Sequence, residues 1–407
     1  MPDMEESADV LIAGGGLVGM TMALALASIG QRSLVIDQAD AAAVTDDRYD
    51  GRASAITASS CRLLQAIGVW PRLEAHAQPI NRVLVSDGRP GSAPSPLTLH
   101  FGPAPQNEAL GHMIENRHIR RALYETAGET PAIAFFKGRI ADFSDGSIRL
   151  ADGGSLSAAL VVSAEGKASV IREAAHIKSI GWTYRQAAIV TTVAHELPHE
   201  GVAHELFLPS GPFAILPMTG NRASIVWTET KPIAAAVMAM SDQDFADELR
   251  RRFGSHWGHA EPIGPRWTYP LSLHLARRYV APGLCLIGDA AHGIHPITGQ
   301  GLNLGLRDVA ALTEVISDAT RIGLDIGSLP VLERYERWRR PDNVALAVMT
   351  DGLNRLFSSD FAPLRFMRDL GMAAVGQIGP LRRVLTRHFM GDLGLKPKLL
   401  DGIRLDS

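Results

Sequence analysis

A glycine-rich turn between an apolar strand and a helix limits the fold of this chain more than any other feature. Residues 9–13 read DVLIA, a run typical of a buried strand, and they lead directly into GGGLVG at 14–19. This spacing matches the G-x-G-x-x-G turn of Rossmann-like folds, in which Gly14 permits the tight turn and Gly16 lets a pyrophosphate approach the backbone. Gly19 lets the following helix pack closely on the sheet. The motif therefore predicts a dinucleotide-binding site.

An acidic residue lies at the position expected for a ribose contact. The run 33–36 predicts a second buried strand that ends at Asp37, about 20 residues beyond the glycines, where a ribose 2′-hydroxyl is bound in this fold. A solvated acid after a strand is the alternative. The pattern favours an adenosine without a 2′-phosphate and leaves both NAD and FAD open.

A second strand–loop–helix junction, LCLIGDAAHGIHPITGQGLNLGLRD at 284–308, organises the rest of the chain. Its apolar strand is followed by Asp289, and a loop with proline and glycines leads to helical spacing from Leu302. The loop would present backbone N–H groups at a helix N-terminus, which suits an electron-rich ligand edge. A junction without a ligand is the alternative.

Arg52 lies just before a predicted helix over about 55–67 and follows a loop rich in aspartate. Its guanidinium can reach a diphosphate or a flavin ribityl chain if either binds nearby. A surface arginine that balances the neighbouring acids is equally compatible with the sequence.

The composition indicates a soluble protein with a substantial core. The chain has 407 residues, 46% of them hydrophobic and 20% charged, which suits two domains or one domain with an insertion. A net charge of −3 gives no electrostatic basis for nucleic-acid binding, and only two cysteines indicate a reducing compartment. The acidic N-terminal segment lacks a signal-peptide core, and no run approaches a membrane span. We therefore expect a cytoplasmic protein.

The middle of the chain predicts a second, strand-rich unit. Residues from about 180 to 280 contain short apolar strands separated by glycine and proline turns, which indicates an antiparallel sheet inserted between α/β segments. Within it, HELPH at 195–199 has a zinc-binding spacing, but that motif needs a helix, which Pro198 and the preceding strand-like run oppose. His292 and His295 also have metal-compatible spacing, without an apparent set of acids or cysteines to complete the ligands. We expect no metal site.

The end of the chain reads as helical and basic. An arginine-rich segment at 335–340 is expected to stop at Pro341, and apolar residues at helical spacing follow beside several arginines. The preferred interpretation is a set of helices packed on the body of the protein. A peripheral membrane or partner surface is the alternative.

Three segments resemble, in the same order, the class A flavoprotein aromatic hydroxylases: residues 14–19, 164–172 and 288–301. The last two are similar to that family's DG and GD motifs. Together with RASAI at 52–56 and GPFAILP at 211–217, the last segment resembles the UbiH/UbiF branch, the ubiquinone-biosynthesis hydroxylases. The resemblance extends over most of the chain.

The resemblance implies an α/β fold, with a Rossmann-like FAD-binding domain, an inserted and mainly antiparallel β-sheet substrate domain, and a helical C-terminal region. The expected boundaries are 1–76, 107–178 and 278–340 for the FAD-binding domain, 77–106 and 179–277 for the substrate domain, and 341–407 for the C-terminal region. Bulky apolar residues of the inserted sheet, such as Phe207, Phe213 and Leu216, are candidates for the substrate wall, and plain core is the alternative.

The resemblance also implies how FAD would be held. The ADP part would lie on the first glycine motif, with Asp37 at its ribose, Arg52 along the pyrophosphate and ribityl region, and Asp289 at the ribityl chain. The second loop would face the pyrimidine edge of the flavin through Pro296, Gly299, Gln300, Gly301, Leu302 and Asn303. One departure is Glu165, which stands where the family's DG motif has Asp, and whose longer side chain shifts the carboxylate oxygens used in handling NAD(P)H.

The implied reaction uses FAD, NAD(P)H and O2. Flavin reduced by NAD(P)H activates O2, and one oxygen atom is transferred to the ring of a polyprenylated phenol in ubiquinone biosynthesis. The expected partners are this phenol and O2, with a peripheral membrane surface or a quinone-biosynthesis complex as further candidates. Two alternatives stay open: a lipid or prenyl reductase of the same fold, and a flavin-binding scaffold in a biosynthetic complex. The sequence does not identify a catalytic side chain.

Overall fold

The computed structural model describes residues 8–40, 51–88, 98–102, 108–144, 146–254, 257–357, 386–387, 390–392 and 394–405. Residues 358–385 of the predicted C-terminal region and the aspartate-rich loop before Arg52 lie outside the described residues. The helices in the described ranges are α1 Leu17–Ala27, α2 Ala58–Ala66, α3 Asn116–Gly128, α4 Val170–Ala174, α5 Lys231–Met238, α6 Asp242–Phe253, α7 Gly301–Arg321 and α8 Leu329–Phe357. Short 3-10 turns cover Trp70–Arg72, Glu74–His76, Gly288–Ala290, Pro296–Thr298 and Lys398–Asp401.

The strands form four sheets. In chain order they are β1 Val10–Ala13, β2 Ser33–Asp37, β3 Ala53–Thr57, β4 Gln78–Ile80, β5 Arg82–Asp87, β6 Leu99–Phe101, β7 Gly111–Glu115, β8 Ile133–Lys137, β9 Ile140–Ser144, β10 Ser147–Leu150, β11 Ser155–Ser157, β12 Leu160–Ser163, β13 Ser179–His195, β14 Val202–Leu208, β15 Gly211–Met218, β16 Arg222–Thr230, β17 Ala260–Ala276, β18 Val280–Ala281, β19 Leu284–Leu286 and β20 His292–Gly293.

A six-stranded sheet forms the first layer, in the order β18-β19-β12-β1-β2-β8. All neighbours pair parallel except the edge strand β18, which pairs antiparallel with β19. Its central strands are short apolar runs with every residue of β1 and β12 buried, as a parallel sheet covered on both faces requires. On this sheet, α1 packs against α3 and α7. The Rossmann-like prediction is confirmed.

An eight-stranded sheet forms the second layer, in the order β20-β17-β13-β16-β15-β14-β5-β6. Its neighbours pair antiparallel except β14 and β5, which run parallel. One face packs on α5 and α6 through a core that includes Ile189, Phe213 and Trp227. The sequence predicted short strands here, but β13 and β17 have 17 residues each. Register shifts opposite Pro265 and next to Pro270 let these long strands accept residues that usually end a strand.

β8 joins the parallel sheet beside β2, while β9, β10 and β11 form a separate antiparallel sheet. One region before α2 differs from the sequence prediction. Residues 53–57 form β3 instead of the start of a helix. β3 pairs with β7, and the Thr57 hydroxyl then caps α2 by accepting a hydrogen bond from the Ser60 N–H.

The helix α8 continues through Pro341, so the predicted stop at this residue is wrong. A proline inside a helix removes one backbone hydrogen bond and costs about 3 kcal/mol. The helix keeps one buried face on both sides of the proline, with Tyr335 and Arg339 before it and Asn343 and Leu346 after it. Packing of this face offsets the local penalty. The expected domain boundary at residue 341 therefore falls inside a continuous helix, and the division into domains stays a prediction.

No helix in the described part of the chain combines the length and the apolar character needed to cross a membrane.

Candidate active site

The first glycine turn leaves open space beside the backbone at Gly16. A Cβ atom added to Gly16 would meet nothing within 4 Å, whereas one added to Gly19 would lie 1.9 Å from the Gly14 carbonyl oxygen. Gly14 has a φ of 102°, a conformation that favours glycine. Gly16 also precedes the first turn of α1 without a side-chain cap, so the N–H groups of this turn are left for a ligand. An anionic group fits such a cradle.

Asp37 ends β2 and is bound to the glycine turn. Its Oδ2 atom accepts a hydrogen bond of 2.6 Å from the Gly15 N–H, and its Oδ1 atom accepts one of 2.8 Å from the Ala39 N–H. The Tyr124 hydroxyl donates to the Gly15 carbonyl at 2.9 Å. Burial and the Asp37 charge raise the pKa of Tyr124 to about 12, so this hydroxyl keeps its proton. These contacts fix the carboxylate at the edge where the ribose contact is predicted.

The second loop places Asp289 and the start of α7 on one cavity. Asp289 is exposed, and its backbone carbonyl accepts a hydrogen bond of 2.8 Å from His274. The same cavity is lined by five of the predicted residues of this loop: Pro296, Gly299, Gln300, Gly301 and Leu302. Gln300 precedes α7 and makes no side-chain cap, so the first N–H groups of this helix are also left for a ligand.

Small residues bring the two loops together. A Cβ atom on Gly305 would lie 2.7 Å from a methyl group of Val18 and 3.3 Å from the Gly288 Cα atom. A Cβ atom on Gly288 would lie 3.3 Å from both Val18 methyl groups. α1 and α7 therefore pack in contact near their N-termini, so that one extended ligand can contact both.

The Asn303 side chain is buried and holds the loop to β3. Its Oδ1 atom accepts from the Thr57 N–H at 2.9 Å, and its Nδ2 group donates to the Ala55 carbonyl at 2.8 Å. The predicted role of Asn303 at the flavin edge is therefore left to its backbone, since the side chain is used within the protein. Arg52 is exposed beside Ala53, which lines the cavity, and its carbonyl accepts from the Asn116 N–H.

A buried polar network below the second loop was missed in the sequence. Asp308 is fully buried and accepts hydrogen bonds from the Gly288 N–H at 3.0 Å and from the Arg339 Nε at 2.9 Å. His292 Nε2 lies 2.5 Å from the Oδ2 atom of Asp308, and Arg339 Nη2 donates a hydrogen bond of 2.7 Å to the Asn343 Oδ1 atom. Burial alone would raise the pKa of Asp308, but His292 and Arg339 hold it below its usual range. The network thus anchors the turn that carries Asp289.

Glu165, the departure from the family motif, binds within its own loop. Its Oε2 atom accepts hydrogen bonds from the Ser163 hydroxyl at 3.1 Å, the Ser169 hydroxyl at 2.7 Å and the Ile171 N–H at 3.1 Å. Ser169 in turn caps α4 by accepting from the Arg172 N–H. The longer acid therefore stabilises the turn between β12 and α4.

The histidines with metal-compatible spacing make other contacts. His199 Nε2 lies 2.8 Å from the Met218 carbonyl, and its Nδ1 accepts from the Gly201 N–H at 3.0 Å. His195 ends β13 and is therefore not on a helix with His199. His292 binds Asp308, and His295 is fully buried beside the Tyr184 ring.

The cavity beside the second loop has a volume of about 1060 Å³. One side is formed by the loop residues and by β3, and most of the remaining lining is apolar. The apolar lining comes from the second sheet and from α8: Val83, Val85, Leu99, Phe101, Ala203, Phe207, Ala214, Leu216, Val226, Met349, Leu353, Leu356 and Phe357. Of the three wall candidates, Phe207 and Leu216 line the cavity. Phe213 does not, because it packs on the opposite face of the sheet with Trp227.

The residues present fit FAD. The open space at Gly16 and the uncapped start of α1 suit its pyrophosphate, and the uncapped start of α7 suits the electron-rich edge of its ring. The two helix starts lie close enough for one FAD molecule to contact both, because α1 packs against α7.

Comparison with known proteins agrees with this geometry. Residues 7–348 match the family described as FAD binding domain. The chain is 47% identical to the ubiquinone hydroxylase UbiL of Rhodospirillum rubrum, over 98% of this chain and 94% of that protein. It is 34% identical to the 3-demethoxyubiquinol 3-hydroxylase of Escherichia coli, over 94% of this chain and 98% of that protein.

A solved structure has the same fold. The p-nitrophenol 4-monooxygenase PnpA of Pseudomonas putida superimposes with a TM-score of 0.75 at 18% identity, over 98% of this chain and 99% of that chain. The family match and the two relatives confirm the resemblance seen in the sequence motifs. The chain therefore belongs to the FAD binding domain family, within the class A flavoprotein monooxygenases.

Proposed function

We propose that this chain is an FAD-dependent monooxygenase that uses NAD(P)H and O2 to hydroxylate the ring of a polyprenylated phenol in ubiquinone biosynthesis. The observation that carries the proposal is that one cavity is lined both by the second loop, which is predicted to hold the flavin, and by apolar side chains of the second sheet and α8. We call this apolar part of the cavity the chamber. The names of the two relatives, a ubiquinone hydroxylase and a demethoxyubiquinol hydroxylase, point to the same substrate class.

The apolar chamber suits a ring with an isoprenoid tail. Its wall is made of aliphatic and aromatic side chains from the second sheet and α8, among them Phe207, Leu216, Leu353 and Leu356. A small charged phenol would need a charged partner there, whereas an isoprenoid chain gains about 25 cal/mol for each Å² of apolar surface that it buries. The chamber thus favours the prenylated substrate.

The residues of this chain would bind and orient FAD, and would exclude water. The Gly16 cradle and Asp37 would hold its ADP part, Arg52 the pyrophosphate and ribityl region, Asp289 the ribityl chain, and the start of α7 the ring edge. When bound and reduced, FAD supplies the activation of O2. The uncapped N-terminus of α7 stabilises negative charge on the ring. The apolar wall keeps water away from the reacting ring.

An isotope experiment tests this function against its two alternatives. The purified holoenzyme is given NAD(P)H, 18O2 and a prenylated phenol, and the product mass is measured. A hydroxylase adds one 18O atom and stops without O2, whereas a prenyl reductase of the same fold turns over anaerobically, and a scaffold gives neither product.

Cells lacking the protein should accumulate a ubiquinone precursor without one or more ring hydroxyl groups. A deletion strain with normal ubiquinone and no redundant hydroxylase would contradict the assignment.

We further propose that the protein meets a membrane surface at its periphery. β13 and β17 carry exposed apolar side chains at Ile180, Trp182 and Trp267, with exposures of 52%, 41% and 42%. Tyr269, on the same strand as Trp267, also lines the cavity, so this surface adjoins the substrate chamber. Aromatic side chains suit the membrane interface. Binding to phospholipid vesicles should weaken in Trp182→Ser, and equal binding would contradict the proposal.

A further inference from the structure

One carboxyl group faces the apolar chamber from the middle of β14. Side chains alternate along a strand, and Ala203, Glu205 and Phe207 line the cavity, whereas Leu206 and Leu208 belong to the core on the opposite face. The Glu205 side chain lies deep in the protein. The part of the Glu205 side chain that stays accessible therefore faces the cavity.

The neighbours of Glu205 offer it no partner. Across the sheet it is paired with Val85 on β5 and with Ala214 on β15, and both residues line the cavity. Within the described residues, no hydrogen bond or ion pair involves its carboxyl group. Buried polar groups in proteins are nearly always hydrogen-bonded, so a carboxyl group left over in a cavity marks a position that a ligand completes.

The other ionisable residues of the cavity are engaged elsewhere. The Lys167 ammonium donates to the Ser272 hydroxyl at 2.6 Å, and His274 Nε2 contacts the Asp289 carbonyl. The His204 ring lies 5.3 Å from the Trp257 ring, on the core side of β14. Asp289 and Tyr269 lie on other elements of the lining. Burial raises the pKa of Glu205 to about 8, and no other cause acts on it.

We propose that the Glu205 carboxyl group binds the ring hydroxyl of the phenol and thereby sets which ring carbon faces the flavin. The proposal rests on the proposed function, because it takes a prenylated phenol as the substrate. The phenol O–H donates the hydrogen bond and a Glu205 oxygen accepts it. Because most of the chamber wall is apolar, this charged group fixes the rotation of the ring, while the tail is held without direction.

The test compares a phenol with its methyl ether. The holoenzyme is titrated with 2-prenylphenol and with 2-prenylanisole, and binding is followed by the change in flavin absorbance. The ether keeps the shape and the prenyl group of the phenol but cannot donate a hydrogen bond. The parent protein should therefore bind the phenol more tightly, and Glu205→Leu should remove this preference.

The expected loss is specific for the phenol. At pH 9, above the pKa of Glu205, loss of a hydrogen bond to this carboxylate corresponds to a decrease in phenol affinity of about tenfold to a hundredfold in Glu205→Leu, with little change for the ether. Glu205→Gln keeps an acceptor oxygen and should retain part of the preference. Glu125→Leu is the matched control, because Glu125 is 51% exposed on α3 and does not line the cavity. It should leave both affinities unchanged.

The pH dependence separates a direct contact from a structural role. An ionised carboxylate accepts a stronger hydrogen bond than a protonated acid. Because the pKa of Glu205 is about 8, phenol affinity in the parent should rise between pH 7 and pH 9. The phenol itself stays protonated over this range, since its pKa is about 10. In Glu205→Gln this rise should disappear. Product analysis should also show a change in the hydroxylated ring carbon or a mixture of products.

Each outcome decides between the two proposals. If phenol and ether affinities fall together, or if neither falls, Glu205 does not bind the ring hydroxyl. If the parent adds oxygen to the phenol while the Glu205 variants behave like it, the hydroxylase stands and this inference is lost. If the parent binds neither compound, the proposed substrate class fails and the inference fails with it.

Discussion

His292 Nε2 and Asp308 Oδ2 lie 2.5 Å apart in the interior, directly below the turn that presents Asp289. Asp308 joins this turn to α8 through Arg339, which is only 2% exposed. A charge buried in this way is stable only while it is paired. The loop predicted to hold the flavin is therefore fixed by residues that do not line the cavity.

Replacing Asp308 by Asn should destabilise the fold strongly. It leaves the buried Arg339 guanidinium without its buried countercharge, since the other ion pair of Arg339 is with Asp342, which is 39% exposed. Breaking a buried pair in this way costs about 3–5 kcal/mol. Chemical denaturation of the apoprotein measures this loss. Asp318→Asn on the same helix is the control, because its ion pair with Arg334 is at the surface and should change the unfolding free energy by less than about 1 kcal/mol. Equal stability of the two variants would contradict the role given to Asp308.

The buried His295 should make the protein less stable in mild acid. Burial lowers its pKa from 6.5 to about 4, so the unfolded chain takes up a proton first as the pH falls. The unfolding free energy should therefore decrease by roughly 2 kcal/mol between pH 7 and pH 5 through this residue alone. His295→Leu should remove this part of the slope, whereas His100→Leu at an exposed position should keep it. Unfolding free energies measured at the two pH values decide it.

Gly16→Val should abolish FAD binding without unfolding the protein. The Cβ atom of the added side chain has nothing within 4 Å beyond its chain neighbours, and the side chain extends into the space predicted for the pyrophosphate. Gly128→Val at the end of α3, where a Cβ atom is also free of contacts, is the control. The flavin absorbance that stays with the protein on gel filtration measures the effect. A folded Gly16→Val protein with normal FAD binding would refute the site.

Asp289→Ala should weaken FAD binding without affecting the fold. The exposed carboxylate would lose a charge-assisted hydrogen bond of roughly 1.5–3 kcal/mol, which corresponds to about a tenfold to hundredfold lower affinity. Fluorescence titration of the apoprotein with FAD measures the dissociation constant. Unchanged affinity in a protein of normal stability would show that Asp289 points away from the cofactor.

Local patterns predicted the parts of the site that depend on local geometry. The turn at 14–19 and the junction at 284–308 were both found in the sequence, because close packing and tight turns require glycine at fixed spacing. The pairing of Asp308 with Arg339 was not, since the two residues are 31 positions apart and no short pattern joins them. The predicted helix end at Pro341 was wrong for a related reason, because tertiary packing decides whether a helix continues through a proline.

The sequence of β14 contains a pattern that points to Glu205 and that the sequence prediction did not use. In VAHELFL at 202–208, an acid alternates with Ala203 and Phe207, while leucines occupy the other face. A carboxylate on an otherwise apolar strand face calls for an explanation in the sequence itself. The length of β13 and β17 had no such signal, because their bulges depend on which residues the neighbouring strand places opposite the prolines.

The helix α8 has a consequence for how the two ligands influence each other. Near its middle, Arg339 and Asn343 hold Asp308 and hence the second loop, and near its C-terminal end Leu353 and Leu356 line the cavity. Because the helix is continuous, we expect a tail that contacts its C-terminal end to stabilise its middle as well. Thermodynamic reciprocity then requires that FAD tightens substrate binding by the same factor as substrate tightens FAD binding. We expect an enzyme that takes its prenylated substrate poorly until the flavin is in place.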